Sequence, residues 1–138
     1  MNMTTIISNP FTATVWAGGE SGKIVILSAS TYERIGQVDL PDQSQVEQLI
    51  FTDRVGTSLG IAAGVWARTR GGNVYLINAL TGSVVFEVPH ANAKLIQLSN
   101  DKSLWVQQKS EISLMLFPFE NPIHCIVQTR KGSDVNNK

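Results

Sequence analysis

Residues 15–27 read Val-Trp-Ala-Gly-Gly-Glu-Ser-Gly-Lys-Ile-Val-Ile-Leu, and this stretch decides the fold. Its centre, Gly19-Glu20-Ser21-Gly22-Lys23, has the residue types of a phosphate-binding loop, which would indicate a nucleotide-binding protein. Its flanks, Val15-Trp16 and Ile24-Val25-Ile26-Leu27, favour β-strands, and the glycines would then turn the chain between the two strands. The rest of the sequence distinguishes these two interpretations.

The phosphate-binding interpretation fails on the details of its own pattern. Such a loop requires Gly-x-x-x-x-Gly-Lys-Ser/Thr followed directly by a helix. Ala17 stands where the first glycine belongs, and Ile24 replaces the hydroxyl residue that would hold magnesium. The apolar, mostly β-branched residues after Lys23 favour a strand over a helix. We therefore interpret the stretch as strand, turn and strand, with Lys23 as a turn residue.

Residues 15–38, which begin with this stretch, recur fifty residues later without a gap, at residues 65–88. The identities fall at the strand cores and at the turn glycine, where a repeated supersecondary unit needs them. They are Val15/Val65, Trp16/Trp66, Ala17/Ala67, Gly22/Gly72, Ala29/Ala79, Thr31/Thr81 and Val38/Val88. The second turn, residues 68–73, contains no lysine. A weaker third copy surrounds Trp105, so the period is 39 to 50 residues.

A period of roughly 40 to 45 residues with about four short strands is typical of a β-propeller blade. We predict an all-β fold with about three four-stranded antiparallel blades, an incomplete propeller, at residues 4–40, 46–89 and 93–128. A disordered tail is expected at residues 131–138. The spacing of residues 46–51 would also suit a helix, but breaks on both sides favour a strand. A small β-sandwich remains the alternative fold.

Three segments resemble the blades of WD-repeat-like propellers: Val15-Trp16-Ala17-Gly18, Gly22-Lys23-Ile24 and Ala29-Ser30-Thr31. The resemblance covers roughly residues 11–128. It is greatest to the degenerate C-terminal propellers of Rho guanine-nucleotide exchange factors, kinase-cascade scaffold proteins and leucine-rich repeat kinases. The Gly-His and Trp-Asp dipeptides of WD repeats are missing. The resemblance implies a non-catalytic protein–protein interaction module or signalling scaffold. The alternative is a C-terminal regulatory propeller of a protein kinase or Rho exchange factor whose catalytic domain lies outside these residues.

The resemblance also implies where partners bind. In such propellers, partners dock on the loops that join the second strand to the third and each blade to the next. Here these loops lie at residues 18–22, 40–45, 68–72, 89–93 and 107–110. The candidate contact residues are Glu20, Lys23, Asp42, Arg68, Arg70, His90 and Lys109. Arg68 and Arg70 are the leading pair, because arginine grips carboxylates bidentately and is enriched in interface hot spots. The alternative is that both are solvated turn charges.

Composition excludes several classes of protein. Eleven basic and eleven acidic residues give a net charge of zero, so nothing steers the chain toward nucleic acid. The regular spacing of the tryptophans favours packing over base stacking. No apolar run approaches the roughly 18 residues of a membrane span, and no secretory signal precedes the first repeat. The single cysteine, Cys125, is expected to be a buried thiol in a cytoplasmic protein.

No catalytic or metal-binding pattern is present in the sequence. His90 and His124 lie far apart without a nearby cluster of carboxylates and cysteines, so we expect no metal and no cofactor. No nucleophile-elbow or zinc-protease motif occurs, so we expect no enzyme. Three blades would leave the two terminal blade faces uncovered. The alternatives are that the chain is a fragment of a longer protein or that its first and last blades are capped atypically. We expect self-association through these terminal blades, and the resemblance implies protein partners of unknown identity.

Overall fold

The computed structural model describes residues 2–53, 60–100 and 102–108, together with the backbone of Ser113–Phe117 and Ile126–Thr129. The predictions made for Lys109, His124, Cys125 and the tail at residues 131–138 lie outside these residues.

The strands form three antiparallel sheets, each with its four strands in chain order. The first sheet contains β1 (Met3–Asn9), β2 (Thr14–Gly19), β3 (Lys23–Ser28) and β4 (Arg34–Asp39). The second contains β5 (Val46–Thr52), β6 (Gly64–Thr69), β7 (Val74–Asn78) and β8 (Val84–Glu87). The third contains β9 (Ala93–Leu98), β10 (Leu104–Gln108), β11 (Ser113–Phe117) and β12 (Ile126–Thr129). We call these sheets blades 1, 2 and 3. They confirm the predicted all-β fold of three four-stranded blades, and β5 is a strand, as preferred over a helix.

The hydrophobic core lies between the blades. One cluster joins blades 1 and 2, where Trp16 packs with Val65 and Tyr75. A second cluster joins blades 2 and 3, where Trp66 packs with Leu104 and Val106. Both tryptophans are essentially fully buried. Blades 1 and 2 therefore each present their tryptophan to the blade that follows.

Polar contacts between the first strands of successive blades add to this packing. β1 contacts β5, and β5 contacts β9. At the first junction, the Thr4 hydroxyl donates to the backbone carbonyl of Val46. At the second, the Gln48 side chain donates to the Ile96 carbonyl at 3.2 Å and accepts from the Ile96 N–H at 2.9 Å. Each junction thus combines apolar packing with its own hydrogen bonds between a side chain and the neighbouring backbone.

Residues 15–27 form a β-hairpin, as predicted. A single 3-10 turn, Glu20–Gly22, joins β2 to β3. Gly22 has φ +70, and a Cβ there would lie 2.9 Å from the Cα of Gln43 in the loop that leads to blade 2. Its repeat equivalent, Gly72, has φ +90 and meets Ala93 at the entry to blade 3 in the same way. The recurring glycine is needed because a neighbouring backbone passes too close for a side chain.

The turn glycine yields a first prediction. Gly22→Ala would lower the free energy of unfolding by about 1–3 kcal/mol, because alanine must adopt a left-handed conformation against the Gln43 backbone. Gly36→Ala is the matched control, since its Cβ would meet Ile26 only at an ordinary 3.6 Å. Urea denaturation of both variants measures the effect. Equal losses in the two variants would contradict the close-approach explanation.

Candidate functional site

Four loops lie side by side at one end of the blades. They are the β2–β3 turn, the β4–β5 loop, the β6–β7 turn and the β8–β9 loop, and backbone hydrogen bonds join them in that order. Leu40 donates to the Gly22 carbonyl at 2.8 Å, Arg70 to the Gln45 carbonyl at 2.7 Å, and Ala93 to the Gly72 carbonyl at 2.7 Å. We call this surface the loop face. These are four of the five loops at which the resemblance predicts partner binding.

Asp42 ties the β4–β5 loop to blade 2. Its carboxylate accepts hydrogen bonds from the Thr69 hydroxyl at 2.5 Å, the Asn73 amide at 2.7 Å and the Ser44 hydroxyl at 3.0 Å. The Ser44 backbone N–H donates to the same carboxylate at 3.2 Å. Asp42 was predicted as a contact residue, and these bonds show that it also organises the loop face.

Two pKa values are shifted at this site, those of Asp42 and of the neighbouring Tyr75. Burial alone would raise the pKa of Asp42, but the hydrogen bonds from Thr69, Asn73 and Ser44 together outweigh it and lower the pKa below 3.8. The neighbouring Tyr75 is buried, and this burial, with the negative charges of Asp42 and Glu87, raises the pKa of Tyr75 to about 12. Asp42 is therefore charged and Tyr75 neutral at physiological pH.

Arg68 and Arg70 share one acceptor, Glu47. Arg68 donates from Nη1 to Glu47 at 3.0 Å and from Nε to the Gln48 side chain at 2.6 Å. Arg70 donates from Nε to the other oxygen of Glu47 at 3.0 Å. The bond from Arg70, opposed by burial and assisted by Arg68, lowers the pKa of Glu47.

The two arginines differ in exposure, and this separates their roles. Arg68 lies within β6 rather than in the turn and is only 8% exposed. Its guanidinium therefore binds groups of the protein itself, Glu47 and Gln48. Arg70 lies in the turn with 67% of its side chain exposed. Of the pair, Arg70 is the one that an incoming partner can reach.

The remaining candidate residues occupy different parts of the loop face. Glu20 is exposed on the β2–β3 turn. Lys23 begins β3 and pairs with Asp39 at 3.2 Å on the surface. His90 is exposed on the β8–β9 loop with φ 52. Sequence reasoning missed the residues that fix this surface from within, which are Glu47, Gln48, Thr69 and Asn73.

An open groove of about 720 Å³ lies on the loop face where blades 2 and 3 meet. Its lining consists of Gly71, Asn73, Glu87, Val88, Pro89, His90, Ala91, Asn92 and Gln108. The Gln108 side chain donates to the carbonyls of His90 at 3.0 Å and Ala91 at 3.1 Å, which fixes the β8–β9 loop against β10. The groove therefore has a defined wall on the blade 3 side.

Comparison with known proteins identifies the fold. No protein-family model matches the sequence, and no curated protein matches it. Among solved structures, the β-propeller domain of Myceliophteria thermophila Cps50 (Swd1) superposes with a TM-score of 0.65 at 16% identity, over 96% of this chain and 40% of that one. The chain has the fold of a WD40 β-propeller segment.

Two further WD-type structures agree. The WD40 β-propeller domain of Doa1 gives a TM-score of 0.63 at 10% identity, over 94% of this chain and 41% of that one. Kluyveromyces lactis Hsv2 gives 0.55 at 15% identity, over 94% and 37%. The chain thus spans about two fifths of the length of these propellers. The expected WD-repeat-like architecture is confirmed, whereas the finer resemblance to exchange-factor and kinase propellers stays a prediction.

Two negative findings apply to the described part of the chain. Residues 2–53, 60–100 and 102–108 contain no group of three or more histidine, cysteine, aspartate or glutamate side chains placed to hold a metal ion. No helix within the described residues is long and apolar enough to cross a membrane.

The arginine pair yields a second prediction. Arg68→Met would lower the free energy of unfolding by about 2 kcal/mol, because Glu47 and Gln48 lose a buried partner. Arg70→Met would change it by less than about 1 kcal/mol, since its ion pair is largely exposed. Parallel urea denaturation curves measure both values. A larger loss for Arg70→Met would contradict the structural role assigned to Arg68.

A third prediction concerns the stability of the protein at acidic pH. The ionised, hydrogen-bonded Asp42 stabilises the fold above its ordinary pKa of 3.8, and this stabilisation disappears as the pH falls through the lowered folded-state pKa. Asp42→Asn would therefore cost about 1–2 kcal/mol at pH 7 and progressively less below pH 4. Unfolding curves across that pH range test this, with Glu33→Gln on an exposed turn as the control. A cost of Asp42→Asn that does not change with pH would disprove the electrostatic part of the argument.

Proposed function

We propose that the chain is a non-catalytic protein-interaction module that binds a polypeptide partner on its loop face. The observation that supports this most directly is the open groove of about 720 Å³ at the meeting point of blades 2 and 3. Ligand-binding clefts in proteins typically have volumes of about 300–1,000 Å³. The openness of this one suits a segment of another chain, which enters and leaves along its length.

The groove offers hydrogen-bonding groups on a defined frame. His90 and Asn92 have positive φ values of 52 and 40, so the β8–β9 loop has a specific, non-extended shape. Ala91 between them is buried and anchors the loop. Pre-formed binding loops lose less conformational entropy when a partner docks. This supports recognition by a largely pre-organised surface.

The charge of the groove suggests the chemistry of the partner. Glu87 is exposed and is the only acidic residue among the described lining residues, which include no lysine or arginine. A partner that places a lysine or arginine side chain beside Glu87 would gain a complementary charge pair. Arg70, next to the lining residue Gly71, would pair with an acidic residue further along the same segment.

The wider setting of this module is part of the proposal. A role as a signalling scaffold in the cytoplasm follows from the resemblance and from the single cysteine. The second candidate, a regulatory propeller of a protein kinase or Rho exchange factor, rests on the resemblance alone. The chain spans only about two fifths of the length of the propellers that it resembles.

Matched charge reversals test the binding face. Glu87→Arg removes the acidic group of the groove, whereas Glu33→Arg makes the same change on an exposed turn at the opposite end of the blades. In quantitative pull-downs with the tagged chain, we expect Glu87→Arg to recover at least tenfold less of the partners that the wild type and Glu33→Arg retain.

Circular dichroism and urea denaturation check that both variants fold. Equal recovery by Glu87→Arg and the wild type would reject the groove as the binding site. Loss with Glu33→Arg alone would place the site at the other end of the blades.

A further inference from the structure

The fifty-residue repeat gives equivalent apolar positions in blades 1 and 2, and these positions differ in whether another blade covers them. Val65 and Ile77 in blade 2 are completely buried, because blade 1 packs on them. Their equivalents in blade 1, Val15 and Leu27, are only half-buried. The same positions are apolar in both blades, although no blade among the described residues covers the first pair. We call this side of blade 1 the valine face and include in it Ile6, which is 66% exposed.

The opposite end of the stack shows the complementary situation. Trp16 and Trp66 are buried by the blades that follow them, whereas Trp105, at the same position of blade 3, is half-buried. Together with Leu95, Gln97 and Gln107, it lines a shallow cleft of about 90 Å³. Leu95 is 43% exposed. We call these four residues the tryptophan face.

The two uncovered faces are the two halves of a junction that the chain already forms twice. Within the chain, Trp16 of blade 1 packs against the face of Val65 and Ile77 in blade 2. The valine face is the repeat equivalent of that surface, and the tryptophan face is the repeat equivalent of the surface around Trp16. None of the residues named for either face is charged, and the Lys23–Asp39 ion pair lies on the same side of blade 1 as the valine face, at its loop-face edge.

We propose that two copies of this chain join head to tail, the tryptophan face of each packing on the valine face of the other. This goes beyond the proposed function and does not depend on the loop-face groove. Blade 3 of each copy then meets blade 1 of its partner, and both uncovered faces of both copies are covered.

The number of blades favours a closed pair. Head-to-tail contacts close into rings when the rotation allows and otherwise form filaments. Two copies supply six blades, within the usual range of about four to eight for a closed propeller, whereas three copies would exceed it. A face of four strands spaced about 4.8 Å apart and about five residues long covers roughly 300 Å². The four faces of a dimer would then bury on the order of 1,200 Å², which reaches the size of stable interfaces.

The test is the mass of the chain in solution, measured by light scattering across a range of concentrations. We expect the wild type to have twice the 15.1 kDa mass of one chain. Ile6→Glu on the valine face and Leu95→Glu on the tryptophan face each place a charge in both junctions and should yield monomers. Leu80→Glu is the matched control, because Leu80 is 64% exposed on the β7–β8 turn and belongs to neither face. It should remain dimeric.

Mixing the two monomeric variants tests the head-to-tail arrangement. A mixed pair contains one junction with neither substitution, so mixing Ile6→Glu with Leu95→Glu should restore a dimer that neither forms alone. Circular dichroism verifies that each variant keeps its strands. A wild type that stays monomeric at all concentrations would overturn the proposal. A dimer sensitive to Leu95→Glu but not to Ile6→Glu would mean symmetric pairing and would overturn it as well, as would a mass that rises without limit.

Discussion

The burial of each sheet face against the next sheet is the constraint on which this structure depends. Burying one large apolar side chain contributes about 1.5–3 kcal/mol, and a blade needs several such contributions to offset the entropy lost on ordering its strands. The middle blade obtains them on both sides. β6 is buried at every position, as are the first four residues of β7, Val74 to Ile77. This explains why residues 64–67 and 74–77 are continuous apolar runs in the sequence rather than alternating ones, since both faces of these strands are interior.

The loop face is a consequence of the same stacking. When two sheets pack face to face, the loops at their ends are brought within hydrogen-bonding distance. Asp42 then bonds to Thr69 and Asn73 of the next blade, and Gly72 accepts from Ala93 at the start of blade 3. These bonds fix the loops from behind and leave side chains such as Arg70 and His90 on the outer side. The apolar junctions thus give the candidate binding surface its shape.

Much of the fold could be predicted from the sequence, because the repeat keeps its tryptophan and its glycine at a fixed spacing. The locations of β1 to β8 follow from that spacing and from the turn residues around them. The site was harder to predict. Arg68 follows Trp66 by two residues in a strand, so strand alternation places both side chains on the same face of the sheet, the one that packs on blade 3. That signal was present, and the interpretation of Arg68 as a loop residue overlooked it. Its partners could not be inferred, because Glu47 and Gln48 reach it only through the register in which β5 pairs with β6.

Hydrogen bonds between the first strands of neighbouring blades differ from one junction to the next. Thr4 bonds to the Val46 carbonyl at one junction, and Gln48 bonds to both backbone groups of Ile96 at the other. At the first junction, the Asn9 amide adds a buried bond of 2.9 Å to the Ala79 carbonyl. The three repeats are therefore not interchangeable parts. The partners of Thr4, Gln48 and Asn9 are all backbone groups, which any residue at those positions supplies. A repeat can therefore change the side chains that receive its neighbour without losing these bonds, whereas the polar side chains that reach across cannot be exchanged for apolar ones.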